Sequence, residues 1–477
     1  MNLVGREKEI KELEMLYESS NSEFVAVYGR RRVGKTFLVK EVFKDRLSFW
    51  HTGLSPFGRS KTHLLHEQLQ TFFYSLQEYG WQGNQPPKNW IEAFRLLQQL
   101  LEKNDNGQRQ VVFIDELPWM DTVRSNFISA FEYFWNGWAS KRNDILLIVC
   151  GSATSWIENN LINNNGGLYN RLTYEIKLYP FSLKETSEFF QSKNISMSCY
   201  DIATSYMVFG GIPHYLNLFE KGLSVAQNID NLLFAKNAKL KNEFDRLFHS
   251  LFNNADDHIK VVRFLSKRRG GYTRKEILEN TGLKDGGDTT KVLKGLQEND
   301  FITTYVPFGC GKILRYKITD PFCMFYLQFI DNKTDNDTGF WQKNNLSPKL
   351  NTWRGLAFEQ LCFSHIAQIK TKLGISGVST SESSWIIEHD GQSMGQADLL
   401  IVRSDNIVNL CEIKFYAKEF AIDKNYDSKL RDRIQSLVEM LPKKKTVHLT
   451  FIASFGLKIN EYSGQVQEVI TLEDLFK

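Results

Sequence analysis

The sequence predicts an α/β fold built on a parallel sheet, and three stretches predict it. Phe24–Tyr28 is a continuous apolar run that stops at Gly29. Val111–Glu116 is a second run, ending in two acids, and Asp144–Thr154 is a third, ending in Gly151, Ser152 and further small residues. Uninterrupted apolar runs suit strands covered by helices on both faces, where neither side of the strand meets water.

The first run leads into Gly29-Arg30-Arg31-Arg32-Val33-Gly34-Lys35-Thr36, which satisfies G-x-x-x-x-G-K-[ST] between a strand and a helix. A bound triphosphate needs these parts in this order. The glycines let the backbone curl so that its N–H groups face the phosphates, and the helix that follows presents its N-terminus to them. The segment from Gly29 to Phe37 is therefore the candidate cradle for ATP, with Arg30, Arg31, Arg32, Val33 and Gly34 supplying the loop. Lys35 is placed to set its charge between the β- and γ-phosphates, and the Thr36 hydroxyl to ligate Mg²⁺. The second run completes the site, because an acid at the carboxyl end of such a strand lies in the crevice where open α/β sheets bind ligands. Asp115 is the second candidate Mg²⁺ ligand, and Glu116 the candidate activator of the attacking water. At the end of the third run, Ser152 is the candidate γ-phosphate or water sensor, with Thr154 second.

At 477 residues the chain is too long for one growing core and suits two to four domains. Hydrophobic residues make up 42% and charged residues 24%, an ordinary globular balance that excludes disordered and fibrous classes. The net charge of +4 gives no global field for nucleic acid, so any such surface is local. Cys150, Cys199, Cys310, Cys323, Cys362 and Cys411 are scattered singly, which reads as reduced thiols and not a zinc site or disulfide framework. No apolar stretch approaches the ~20 residues needed to span a bilayer, and the N-terminus turns polar too early for a signal peptide. A cytoplasmic protein without membrane contact is expected.

In chain order, Glu7–Tyr17 carries apolar positions at helical spacing, and Leu3-Val4-Gly5-Arg6 before it is an entry segment placed to meet a nucleotide base. Thr36–Val42 reads as the helix after the loop, and Leu47–Trp50 as a short strand. His63–Leu76, Trp90–Leu101 and Asn126–Trp138 read as helices, separated by the Gly- and Pro-containing loop Gly80–Asn89 and the turn Asp105–Gly107. Asn159–Gly167 reads as a surface loop. Arg171, just beyond it, is a candidate for reaching a phosphate of its own or a neighbouring subunit, with a surface salt bridge as the plain alternative. Ser182 is placed to cap a helix carrying Glu185, and Phe209–Leu216 to join two helices of a small lid.

From Phe252 the pattern becomes three helices and a strand pair. The helices hold Ile259–Leu265, a segment capped by Thr273, and Val292–Leu296; the strands span Phe301–Val306 and Ile313–Ile318. This is a winged-helix pattern, whose third helix offers Thr289, Thr290, Lys291 and Lys294 to a duplex, with Lys267, Arg268 and Arg269 nearby. Winged helices also serve as packing or protein-contact modules. Asp331–Pro348 reads as a linker. Beyond it, Trp353–Ile369 reads as a helix, and Ala397–Val402 and Ile407–Ile413 as neighbouring strands. Glu412 and Lys414 share one strand face, and with Asp398, Glu359 and Gln396 they form a candidate nuclease site in which Asp398 and Glu412 hold Mg²⁺. Charged residues punctuating edge strands explain the same pattern without chemistry.

Taken together, these pieces resemble a known group. Val4-Gly5-Arg6-Glu7, the Gly29–Thr36 loop, Val111–Glu116, Gly151-Ser152, Asn170-Arg171-Leu172 and Gly210–Leu216 resemble, in order, the AAA+ ATPases widespread in archaea, close to signalling STAND and origin-recognition-like members. The resemblance implies a P-loop NTPase core over 1–180, a helical lid over 181–250 and a winged helix over 251–330. Over 349–477 it implies a domain similar to restriction-endonuclease-like nucleases, although Ala397 replaces the proline that often leads that motif. MgATP binding by Lys35, Thr36, Asp115 and Glu116 is what the resemblance implies for the site. It leaves DNA, a protein partner or further copies of the chain as candidate partners. No arginine is placed to sense nucleotide from the lid, which resembles the STAND-like arrangement.

Overall fold

The computed structural model describes residues 3–60, 63–163, 166–168, 170–252, 254–331, 338–389 and 392–477, with side chains of 386–396 left aside. Residues 164 and 165 of the Asn-rich stretch, residue 169 just after it, 332–337 of the expected linker and the side chain of Gln396 thus lie outside the described residues. The chain divides into two compact units. One comprises Met1–Pro180, Leu247–Ala255 and Lys294–Asn299, the other Phe181–Arg246, Asp256–Leu293 and Asp300–Lys477.

The first unit is an α/β layer structure. Strands β1 (Glu23–Tyr28), β2 (Leu47–Thr52), β3 (Gln110–Asp115), β4 (Ile145–Gly151) and β5 (Tyr174–Lys177) form one sheet in the order β2-β3-β4-β1-β5. Every pairing in it is parallel. All of β3 and β4 is buried, as their apolar runs require. Phe24, Phe72, Trp90, Phe94, Phe127 and Phe131 lie in the core that covers the sheet, and several meet edge to face, as their ring quadrupoles favour. Asn89 begins the helix Trp90–Lys103 by accepting from the Glu92 amide, and Glu7–Tyr17 is helical over the span its periodicity predicts.

Three expectations change here. β5 is a strand that the sequence reading passed over; it is short and only partly buried, a weak signal. The start of the expected loop Asn159–Gly167 lies in a π-helix, Glu158–Ile162, in which Leu161 is buried. In the second unit, the end of the expected linker is the packed helix Phe340–Asn344. Its Trp341 and Gln342 amides donate to the Asp230 carboxylate at 2.7 and 3.1 Å.

The second unit begins with a Ser182–Glu185 capping box on the helix Leu183–Ser192. The helix Cys199–Phe209 ends at Gly210 in the left-handed region, and Pro213–Leu216 follows. Helices Ala255–Leu265, Arg274–Thr281 and Gly287–Glu298 precede an antiparallel pair, β6 (Ile302–Tyr305) and β7 (Arg315–Ile318). The expected helix over 353–369 is two, Pro348–Ser364 and Ile366–Lys372, meeting at His365. A second sheet holds β8 (Thr380–His389), β9 (Gln392–Arg403), β10 (Ile407–Lys414), β11 (Thr446–Ala453) and β12 (Glu468–Thr471) in the order β12-β11-β10-β9-β8. It is mixed, with β8–β9 and β9–β10 antiparallel and β10–β11 and β11–β12 parallel. The helix Lys424–Met440 packs on this sheet through Leu430 and Leu437. Among the described residues no helix is long and apolar enough to cross a membrane.

One buried group in the first sheet gives a pH test. His51 on β2 lies under Phe72, 2.9 Å from the Ser75 hydroxyl, and burial pushes its imidazole down to about 3. The unfolded chain therefore takes up this proton near the ordinary histidine value while the folded chain does not, so stability is lost as pH falls below about 6.5. In acid denaturation profiles, wild type should lose stability relative to His51→Gln as pH falls from that value, with the difference constant above neutrality.

Candidate functional site

The nucleotide-site candidates meet at the carboxyl end of the first sheet. β1 and β3 flank β4, so the loop after β1 and the acids after β3 face each other across one strand. The loop turns where glycine is needed. Gly29 has φ 132°, and a Cβ there would fall 2.4 Å from the Leu178 carbonyl oxygen. Gly34 has φ 95° and opens the helix Lys35–Val42 with open space beside it. Arg32 also sits at positive φ, 71°. Arg6, buried beside the loop, donates to the Tyr179 carbonyl at 2.6 Å and the Val33 carbonyl at 3.4 Å. Arg30 is buried, Arg31 half-buried and Phe37 exposed at the rim.

Lys35 is buried, and its ammonium donates to the Gly29 and Arg30 carbonyls, each at 2.9 Å. The Thr36 hydroxyl donates to Asp115 at 2.8 Å. That separation matches the about 2.9 Å between adjacent oxygens around an octahedral Mg²⁺ at its usual bond length. Burial, and next the charge of Glu116, raise Asp115 above the ordinary carboxylate value. A divalent cation between Thr36 and Asp115 would relieve both, so the residues fit the ion.

Glu116 stands at φ 48°, in the left-handed region, before the turn Leu117–Trp119. Its carboxylate accepts from the Ser152 hydroxyl at 2.9 Å and the Ser152 amide at 3.1 Å. The expected sensor thus holds the expected activator of water. Thr154 is buried, and its hydroxyl has no hydrogen-bond partner among the described residues. Arg171 does not join this group. It is exposed, two residues before Thr173, whose amide donates to the Phe24 carbonyl at the amino end of β1. From there β5 runs on the order of 16 Å before Leu178 reaches Gly29, so Arg171 sits at the opposite end of the sheet from the loop.

In the second unit the four C-terminal candidates come together, but around each other. Asp398 accepts from the Ile413 amide at 3.0 Å, and Lys414 lies 3.7 Å from Asp398 and 3.3 Å from Glu412. Glu412 is fully buried; it accepts from the Tyr426 hydroxyl at 2.6 Å and pairs with Arg433. Glu359 pairs with Arg269 at 3.3 Å. Burial, and next Asp398, push Glu359 up to about 7, and burial raises Asp398 as well. Burial opposes the charge of Lys414, but Asp398 and Glu412 outweigh it and hold this lysine above its ordinary value. Among the described residues no three His, Cys, Asp or Glu side chains are grouped to hold a metal ion, in either unit.

Sequence reasoning missed Tyr426 and Arg433. They stand seven apart on one helix, two turns and so one face, which is the signal that points both at the sheet. The third helix of the expected winged helix, Gly287–Glu298, carries Thr289, Thr290, Lys291 and Lys294. Thr289 is buried and donates to the Lys284 carbonyl at 2.6 Å, Thr290 accepts from Arg274, and Lys294 is bonded to Asn159 and paired with Glu298.

The loop, lysine, hydroxyl and paired acids at the end of a parallel sheet define a P-loop nucleoside triphosphatase site. Residues 3–219 match the family described as an ATPase domain predominantly from Archaea, which supports ATP binding by this part of the chain. The chain is 27% identical over 362 residues to the uncharacterized protein MJECL04 of Methanocaldococcus jannaschii, covering 75% of this chain and 76% of that one. Among solved structures it is similar to the Walker-type ATPase PABY2304 of Pyrococcus abyssi, at 21% identity and TM-score 0.49, over 68% of this chain and 96% of that one. It is also similar to the Aeropyrum pernix ORC2 protein, solved with ADPNP and ADP, at 12% identity and TM-score 0.40, over 68% and 93%.

The two loop glycines should differ in what they tolerate. Gly34→Ala meets only the cost of its backbone angle, about 1 kcal/mol. Gly29→Ala adds overlap with the Leu178 carbonyl, so urea denaturation should show it as the more destabilised of the two.

Proposed function

We propose that the protein is a Mg²⁺-dependent ATP switch, in which binding and hydrolysis at the first unit set the state of the second. The observation that carries this reading is the meeting of Lys35, Thr36, Asp115 and Glu116 at one sheet end, within a stretch that matches an ATPase family. Lys35 and the loop amides bind and orient the phosphates, and Thr36 and Asp115 hold the ion, which neutralises the charge of the triphosphate. Glu116 accepts a proton from the attacking water once its carboxylate leaves Ser152, so the Ser152 contact keeps the water-activating group parked. Arg171, at the far end of the sheet, is left for the phosphates of a neighbouring copy. That role makes a homo-oligomer the active form.

Lys35→Ala should remove the ATP-induced rise in melting temperature and reduce phosphate release at least a hundredfold. Chelation of Mg²⁺ should reduce turnover equally in the wild type. Wild-type turnover in the Lys35→Ala protein, with the thermal shift intact, would dismiss the assignment.

A second reading concerns what the switch controls. The C-terminal cluster supports a nucleotide-gated nucleic-acid-binding domain over a nuclease, because Glu412 is committed to Tyr426 and Arg433. DNA binding that weakens with added salt is expected. Incubation of DNA and RNA with Mg²⁺ or Mn²⁺, with and without ATP, should give no cleavage that Asp398→Ala abolishes. Such cleavage would return the nuclease reading to first place.

A further inference from the structure

The second unit contains a cavity of about 170 Å³ beside the C-terminal cluster. This is roughly ten times the about 15 Å³ that one water requires. Its lining combines two cations, Arg269 and Lys317, and two carboxylates, Glu359 and Asp398, with the rings of Tyr305, Phe363 and Trp353. The cations come from the segment before and the strand within the β6–β7 pair, elements distinct from those that carry Asp398, Glu412 and Lys414.

Of the two, Arg269 meets Glu359, while Lys317 is held differently. The Lys317 ammonium lies over the Phe363 ring at 4.2 Å and the Tyr305 ring at 4.9 Å, and no carboxylate pairs with it among the described residues. Arg269 spends one nitrogen on the Leu356 carbonyl, at 2.8 Å, and on Glu359. A guanidinium has five N–H donors in a fixed fork, so most of its donors remain. Burial, and next the charge of Arg269, push Lys317 down to about 8, while Glu359 stands at about 7 and carries less than a full charge at neutral pH. Arg269 is exposed and Lys317 partly buried, and the repulsion between like charges near each other is relieved by an anion shared between them.

We infer that this cavity is a binding site for the terminal phosphate of a nucleic-acid strand, held between Lys317 and Arg269 with the end nucleoside against the aromatic walls. A phosphate monoester carries nearly two charges where a phosphodiester inside a strand carries one, so the end of a strand matches a pair of cations better than its middle. Stacking on an aromatic face tolerates any base, so the site selects ends and not sequence. The inference rests on the nucleic-acid-binding reading of the second unit.

The test is anisotropy titration of the full chain, with saturating ADP to fill the nucleotide site, against single-stranded oligonucleotides with and without a terminal phosphate. The phosphorylated strand should bind at least tenfold more tightly. Lys317→Met, which keeps the stem between the rings, should erase that preference and leave salt-dependent binding, and Lys317→Arg should restore it. In the wild type, an amine-reactive label should modify Lys317, and the phosphorylated strand should protect it more than the hydroxyl-ended one. Equal binding of the two strands overturns the inference and leaves the nucleic-acid reading standing. Binding of neither strand removes both. Protection by inorganic phosphate alone, with no gain from the strand, assigns the cavity to free phosphate and also overturns the inference.

Discussion

The first unit depends on keeping ionised groups out of water at the carboxyl end of a parallel sheet. Lys35 and Asp115 are both nearly inaccessible, at 6% and 4% exposure, and burying such groups costs several kcal/mol each unless partners replace their hydration. The backbone supplies those partners for Lys35 through two carbonyls that only a tightly curled loop can aim inward. The curl requires Gly29 because β5 runs alongside, with the Leu178 carbonyl where a side chain would begin. Sheet order, glycine position and lysine burial are thus one constraint seen from three sides.

Asp115 is satisfied less completely. It has the Thr36 hydroxyl and the thiol of buried Cys150, but Glu116 beside it adds a like charge. The Ser152 contacts draw the Glu116 carboxylate toward β4. Gly151 permits the close passage there, since a Cβ at that position would fall 2.7 Å from Pro118. The Gly-Ser end of β4 therefore serves the acids of β3 as well as ending its own strand.

The parts legible in the sequence were those whose chemistry is local. A glycine-rich loop followed by Lys-Thr, and an apolar run ending in acids, each state their surroundings, because neither pattern suits an exposed or isolated segment. The helix at Glu7–Tyr17, the Ser182–Glu185 cap and the β9–β10 turn were legible for the same reason. What escaped depends on tertiary partners. β5 is too short to declare itself and exists because it pairs with β1. Phe340 and Trp341 were hidden by polar neighbours, and their helix is held by Asp230, more than a hundred residues earlier. Lys317 gave no signal because a basic residue in a hairpin is ordinarily solvated, and Arg269 was legible only as one of the basic run Lys267-Arg268-Arg269. Only the fold brings them beside Glu359.

That juxtaposition separates the two sites in kind. In the C-terminal cluster three carboxylates, Glu359, Asp398 and Glu412, meet three cations, Arg269, Lys414 and Arg433. A divalent ion entering this set would have to displace the half-buried guanidinium of Arg433 from Glu412. The nucleotide site is the reverse, since Asp115 and Glu116 together exceed the one ammonium beside them and a divalent cation completes the group. In the second unit the surplus charge is positive and sits one step away, on Lys317. At the carboxyl end of β3 two acids thus face one ammonium, whereas in the second unit the Lys317 ammonium faces aromatic rings.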